Sequence, residues 1–381
     1  MSNNQKKPII IDLGSSEIKA GFFGIESPNI RIQNIIGEPL SKIISSQLTK
    51  AHYISSECDN NLNNLKIRYP IQRGVFKNDD DIQLIFDYIF SKMELNNEQI
   101  KEHPLIISEP INNKKSNSEK IAETLFEKFN ISSLIFARQP LLSLISTGYS
   151  SGIILESGSD ITQSCVSYEG YLIENSFNRF DYGGRDVTNV LKILIEKNNP
   201  YLNQNLYNNI NILNEIKENH CYIKILKQNN DLNNENGDFT SIDSEYILPD
   251  RSKLILKDEK ILAPEILFNN KLIFAEYLPF HKMIINSINK VDINIKNKLY
   301  ETTILSGGNT KFKKKKKKIK INLMSLIPGG VQLKIRTQEE PELNCWKGGN
   351  IIASLSSFNK ILVDKKQWEE FDKNIIHTKN I

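Results

Sequence analysis

Pro8 to Gly21 reads PIIIDLGSSEIKAG, and Ser151 to Ser164 reads SGIILESGSDITQS. In each, aliphatic residues lead to an acid, Asp12 or Glu156, and the chain breaks at once into a small-residue turn. The turns are Gly14-Ser15-Ser16 and Ser157-Gly158-Ser159, and a second extended segment follows each. Successive N–H groups in such a turn form an anion-binding concavity, and a neighbouring carboxylate can hold the divalent cation that accompanies a polyphosphate. Two such hairpins facing each other would clamp a nucleotide that neither could bury alone. A third turn, Ser306-Gly307-Gly308-Asn309-Thr310, follows Thr303, Ile304 and Leu305. Adjacent glycines let a backbone come close to a base or ribose.

A chain of 381 residues exceeds what one hydrophobic core usually serves, so two lobes are expected. Its 39% hydrophobic and 25% charged residues are the composition of a soluble globular protein, and a formal charge of +4 argues for neither nucleic-acid nor membrane partners. Cys58, Cys165, Cys221 and Cys345 form no CxxC pair, which argues against a zinc site or disulfide framework and for a reducing, intracellular setting. No apolar run approaches the roughly 18 residues of a spanning helix. The GxxxxGK[ST], HExxH and GxSxG patterns are absent and the five histidines are scattered, so P-loop, metallohydrolase and serine-hydrolase chemistries have no support.

Asn78 followed by Asp79 to Asp81, with Ile82, Ile85, Phe86, Ile89 and Phe90 on one face, predicts a capped amphipathic helix. A second helix is expected after Ser118, with Ile121, Leu125, Phe126 and Phe129 as its stripe. Extended segments at Leu105 to Ile107, Leu134 to Phe136, Ile153 to Leu155 and Thr303 to Leu305 alternate with these, which predicts an α/β protein. Asparagine-rich Leu202 to Asn211 and Asn229 to Gly237 read as polar loops. The run Lys313 to Lys318 fits a polyanion-binding or nuclear-import tract, although a solvated face is the plainer reading.

These residues resemble actin and the actin-related proteins nearly end to end. Besides the hairpins, the likeness includes YPIQRG (Tyr69 to Gly74), EHPLIISEP (Glu102 to Pro110), LLSLISTG (Leu141 to Gly148), YEGY (Tyr168 to Tyr171), GRDVT (Gly184 to Thr188), LPD (Leu248 to Asp250), LSGG (Leu305 to Gly308), WKGGNIIASL (Trp346 to Leu355) and IIHTKNI (Ile375 to Ile381). The resemblance implies an α/β bilobal fold closing over ATP or ADP with Mg2+ or Ca2+. Residues 1–146 with 343–381 would form an outer lobe carrying a small insert at about 34–70, and 147–342 an inner lobe. It further implies Asp12 and Glu156 on the metal side, and Gly14, Ser15, Ser16, Lys19, Ser157, Gly158, Ser159 and Asp160 around the phosphates. Gln139 would position the attacking water, Gly184 and Arg185 would lie by the ribose, and Lys217, Glu218, Gly307, Gly308 and Phe312 on the adenosine side.

Departures from the family pattern cluster in this site. Glu156 stands for Asp, Ser159 for Asp, Asp160 for Gly and Gln163 for His; Leu13 and Ser16 replace Asn and Gly. Glu342 reverses a lysine, Phe312 replaces Tyr, and the lysine run replaces the start of the following helix. The expectation is weakened nucleotide binding with at most weak ATP hydrolysis. The resemblance implies a cytoplasmic, cytoskeletal filament subunit or filament-associated component, partnered by actin-like subunits and actin-binding proteins. The alternative is a non-polymerising subunit of a dynein-activator or chromatin-remodelling type of complex. A sugar kinase is disfavoured by YPIQRG and WKGGNIIASL. Filament contacts would use Leu40 to Tyr53 and the apolar tip Leu272-Ile273-Phe274, and a groove for actin-binding proteins would use Ile145, Gly148, Ile351, Ile352 and Leu355.

Overall fold

The computed structural model of the chain describes residues 6–41, 44, 48–200, 209–225, 243–273 and 276–381. Asn229 to Gly237, most of Leu202 to Asn211, Phe274 and part of Leu40 to Tyr53 lie outside them.

Two sheets repeat one plan. In the first, strands β1 (Ile9–Leu13) and β2 (Glu17–Phe22) form a hairpin, β3 (Ile30–Gln33) adds to β2, and β4 (Leu105–Glu109) lies parallel to β1. Strand β5 (Ser133–Arg138) continues the parallel set, and Val363–Asp364 closes that edge. In the second sheet, β6 (Gly152–Ser157) and β7 (Thr162–Tyr168) form the hairpin and β8 (Thr303–Ser306) lies parallel to β6. Side chains explain the order: Ile9, Ile10, Ile11, Leu105, Ile106 and Ile107 are all buried, as strands covered on both faces require. The register makes the halves comparable. Asp12 pairs with Lys19 across the first hairpin, and Glu156 pairs with Gln163 at the matching place in the second.

Helix α1 (Asp79–Lys92) begins where its cap predicts, with the Asn78 side chain accepting from the Asp80 amide. Its five-residue apolar stripe is buried, each side chain contributing on the order of 1.5–3 kcal/mol. Helix α2 (Lys115–Glu123) starts three residues before the expected Ser118 and then widens into a π turn at Thr124–Lys128 that holds Leu125 and Phe126. Ser118 does not cap it, because its hydroxyl donates to buried Glu109. Helix α3 (Gln139–Ile145) carries the chain from the first sheet to the second. The second half is covered by α4 (Gly184–Asn198), α5 (Ile210–His220), α6 (Phe280–Asn289) and α7 (Lys315–Met324). Helix α8 (Asn344–Ser354) returns to the first half, where fully buried Trp346 donates its indole N–H to the Ile10 carbonyl at 3.2 Å.

Helices α3 and α8 meet backbone to backbone. A Cβ on Gly348 would stand 1.9 Å from the Leu142 carbonyl oxygen. Gly348→Ala therefore forces the helices apart and is expected to cost about 1–3 kcal/mol in chemical denaturation. An unchanged midpoint would show that this contact yields freely.

At the start of α6, His281 accepts from Asn322 at 3.4 Å in its neutral form. Burial, with Lys282 and Lys318 nearby, pushes its imidazole down to about 4. The unfolded chain takes up this proton near 6.5, so the contribution to stability is whole above that pH and shrinks as pH falls towards 4. His281→Gln is expected to flatten the acid limb of the stability profile in this window. A variant whose midpoint falls in parallel with the parent would discount His281.

Candidate nucleotide cleft

The acids at the ends of β1 and β6 are joined across the halves by two glutamines. Gln139 Nε2 approaches Asp12 Oδ1 at 3.5 Å and Ser108 Oγ at 3.3 Å. Gln163 Nε2 donates to Gln139 Oε1 at 3.2 Å and to Glu156 Oε2 at 3.0 Å. Ser108 Oγ donates to Asp12 Oδ1 at 2.6 Å, and Ser143 Oγ donates to Glu156 Oε1 at 3.2 Å. Burial, then the neighbouring Asp12, raise the Glu156 carboxyl to about 7 against these hydrogen bonds. Asp12 is buried and Glu156 half-buried, and neighbouring carboxylates so placed call for a proton or cation between them. Lys19 supplies one positive charge, its Nζ 3.4 Å from Asp12 Oδ2.

Both turns present backbone donors. The amides of Ser15, Ser16, Ser159 and Asp160 donate to no protein acceptor among the described residues. Their carbonyls and flanks are anchored instead. Ser15 O accepts from Asn34 Nδ2 at 2.9 Å, Ser16 O from the Asn34 amide at 2.9 Å, and the Gly14 amide donates to Asp12 O at 3.1 Å. In the second turn the Gly158 amide donates to Ile161 O at 2.9 Å, and Ser157 Oγ meets Thr162 Oγ1 at 2.8 Å. Gly158 O accepts from the Gly184 amide at 3.0 Å and Ser159 O from the Arg185 amide at 2.8 Å, so the N-terminus of α4 locks onto this turn. The third turn packs against it: Gly307, at φ 86°, leaves no room for a Cβ, which would lie 2.3 Å from Ser157 O. Gly308 faces open space.

The donor set suits a polyphosphate and its cation. Four free amides with Lys19 match anionic oxygens. Among the described residues no group of three or more His, Cys, Asp or Glu could hold a metal by itself. Two carboxylates, Asp12 and Glu156, suit an ion that keeps water and phosphate oxygens as its other ligands.

Residues 3–381 match the family model described as Actin. The chain belongs to the actin family. It is 32% identical over 380 residues to the "Actin-like protein" of Neurospora crassa, covering 98% of this chain and 97% of that relative. It is 34% identical over 374 residues to the "Centractin" of Schizosaccharomyces pombe, covering 97% and 96% respectively. The bilobal α/β fold expected of an actin-family chain agrees with the two repeated sheets.

Three arginines tie the halves of this actin-family chain together across the cleft. Arg73 Nη1 and Nη2 reach the Asp186 carboxylate at 3.1 Å each, and Nη1 also donates to Asp160 O at 2.7 Å. The Arg73 amide donates to Asp160 Oδ2 at 3.0 Å. Arg179 donates to the carbonyls of Ile111 and Asn112 at 3.1 Å each and of Arg73 at 2.7 Å. Arg185 pairs with Asp160 at 2.9 Å, donates to Ser15 O at 3.2 Å and stacks over the Tyr69 ring at 4.3 Å. The Asp160 side chain is thus taken up by arginines while its amide stays available. The motif reading took in Arg73 and Asp186 within YPIQRG and GRDVT without a role, because a linear motif does not reveal a partner far along the chain.

On the far side, Lys217 Nζ contacts Thr188 Oγ1 and Asn214 Oδ1 at 3.0 Å each and Gly184 O at 3.4 Å. Burial holds its ammonium below the ordinary value. Glu218 is exposed on α5 and forms no hydrogen bond or ion pair with the other candidates. Phe312, sought as a stacking surface, is packed into the core of the second half. Asn309, not singled out, donates to Ser157 Oγ at 2.9 Å and Gly158 O at 2.7 Å and so supports the second turn.

Proposed function

We propose that this actin-family protein holds ATP or ADP with Mg2+ or Ca2+ between its lobes and acts as a cytoskeletal filament subunit or filament-associated component. The observation that carries the reading is the pair of anchored turns with free amides, each beside an acid, buried Asp12 or half-buried Glu156, and joined by the Gln139–Gln163 bridge. In this reading the amides of Ser15, Ser16, Ser159 and Asp160 and the Lys19 ammonium hold phosphate oxygens. Asp12 and Glu156 hold the cation, which when bound neutralises charge on the transferring phosphate. Gln139 offers its amide to orient a water, but Gln163 already engages its oxygen, and neither glutamine titrates. Binding with slow turnover is therefore expected.

Differential scanning fluorimetry with MgATP tests the ligand, and co-sedimentation with actin in polymerising salt tests the assembly. A rise in melting temperature with ATP and a pelleted fraction support the reading; no thermal shift would discard the ligand. A second reading, a non-polymerising subunit of a larger complex, is supported by the three arginine clasps, which hold the halves together and oppose the opening that turnover and exchange need. A thermal shift with no pelleting, alone or with actin, selects it.

A further inference from the structure

Away from the cleft's two acids, the N-terminal turn of α7 opens into a hollow of about 530 Å3 lined by Lys311, Phe312, the lysines at 313–317, Lys320 and Thr337. Only Phe312 is shared with the candidate nucleotide residues. Some of this charge is spoken for. Lys311 pairs with Glu342 at 2.8 Å, and Lys314 sits over the Tyr222 ring at 5.3 Å. Outside the hollow, Lys318 pairs with Glu265 at 2.5 Å. Lys313, Lys315, Lys316, Lys317 and Lys320 have no carboxylate partner among the described residues. Their ammonium groups crowd the positive end of a helix dipole, where each added cation is unfavourable. The turn has no side-chain cap, and Lys314 enters it at φ 67°. Burial, then the nearby Lys311, push Lys315 down to about 8, and Glu342 offsets only part of this.

We propose that this hollow binds a compact anion carrying clustered phosphate groups. The clustering favours a compact ligand: lysines of the preceding loop (311, 313, 314) and of the helix (315, 316, 317, 320) line the same open hollow. An extended nucleic acid needs a basic groove that follows its backbone, with rings for its bases. The volume lies within the range of small-molecule sites, and a compact polyanion there would relieve the repulsion among the lysines.

The test uses the full chain with myo-inositol hexakisphosphate as soluble probe, vesicles containing phosphatidylinositol bisphosphate as the headgroup source, and a 20-nucleotide single strand. Calorimetry is expected to show binding of the soluble probe, with affinity at least about tenfold lower in the triple variant Lys315→Gln/Lys316→Gln/Lys317→Gln. The control triple Lys298→Gln/Lys360→Gln/Lys366→Gln, of equal charge change, is expected to bind as the parent does. Folding of the first triple is not at risk, since it removes repulsion, and its melting temperature at low salt is expected to match or exceed the parent's. Vesicle binding without soluble-probe binding, lost in the same triple, assigns the phosphates to a lipid headgroup. Equal binding by both triples, loss in Lys19→Met instead, no binding at all, or a single strand bound as tightly as the probe would each overturn the proposal.

Discussion

Lys19→Met is expected to weaken ATP binding by about 10- to 100-fold, since a charge-assisted hydrogen bond contributes roughly 1.5–3 kcal/mol and each 1.4 kcal/mol is a decade. The Lys19 side chain is only 8% exposed and lies 3.4 Å from Asp12 and 3.8 Å from Glu17, so its charge is fixed beside the first turn. Removal has a second effect: buried Asp12 loses its cation, and the ligand-free protein loses stability too. Lys19→Arg is not expected to rescue, because a planar guanidinium cannot take the place of a compact ammonium in so tight a site. Isothermal titration with MgATP, beside the ligand-free melting temperature, separates the two effects. Parental ATP affinity in Lys19→Met would remove the first turn from the ligand's reach and with it the proposed function.

Arg73→Ala is expected to destabilise the protein by about 1–3 kcal/mol in urea and to speed release of bound nucleotide several-fold. Breaking a buried pair by removing one partner costs about 3–5 kcal/mol, and the lower figure applies here because the Arg73 side chain is 34% exposed. What remains is unequal. Asp160, 1% exposed at its side chain, keeps Arg185, and Asp186 keeps the Gly183 amide at 2.8 Å. The halves then lose the fork that spans them, and hydrogen exchange is expected to rise at the Ser159 to Thr162 turn and the start of α4. Arg73→Lys is expected to restore only part, since one ammonium cannot serve the Asp186 carboxylate and the Asp160 carbonyl as the fork does. Exchange and release rates unchanged in Arg73→Ala would show that the clasp does not hold the cleft.

Local chemistry explains what was legible beforehand. The Asn78 cap and the stripe from Ile82 to Phe90 specify α1 through neighbours within a few residues, and the acid-turn hairpins announce β1–β2 and β6–β7 in the same way. The start of α2 differs from the expected one for the converse reason: Ser118 lies inside the helix and its hydroxyl is claimed by Glu109 on a strand. Phe312 packs with the core of the second half and also lines the hollow beside α7, a double placement that no local pattern reveals.

The cleft divides along the same line. Gly14 to Lys19 and Ser157 to Asp160 specify their own turns, because a tight hairpin is a matter of adjacent residues, and the actin-family membership is carried by ordered local motifs. Sequence alone thus determined the two hairpins and the placement of an acid in each. Only the tertiary structure decided what these elements meet: that Gln163 reaches Gln139, that Asp160 is engaged by Arg73 and Arg185, and that most of the lysine run lines one open hollow. Each of these joins residues far apart in the chain or sets side chains around a space. Such arrangements follow from the packing of whole lobes, which no local pattern of residues encodes.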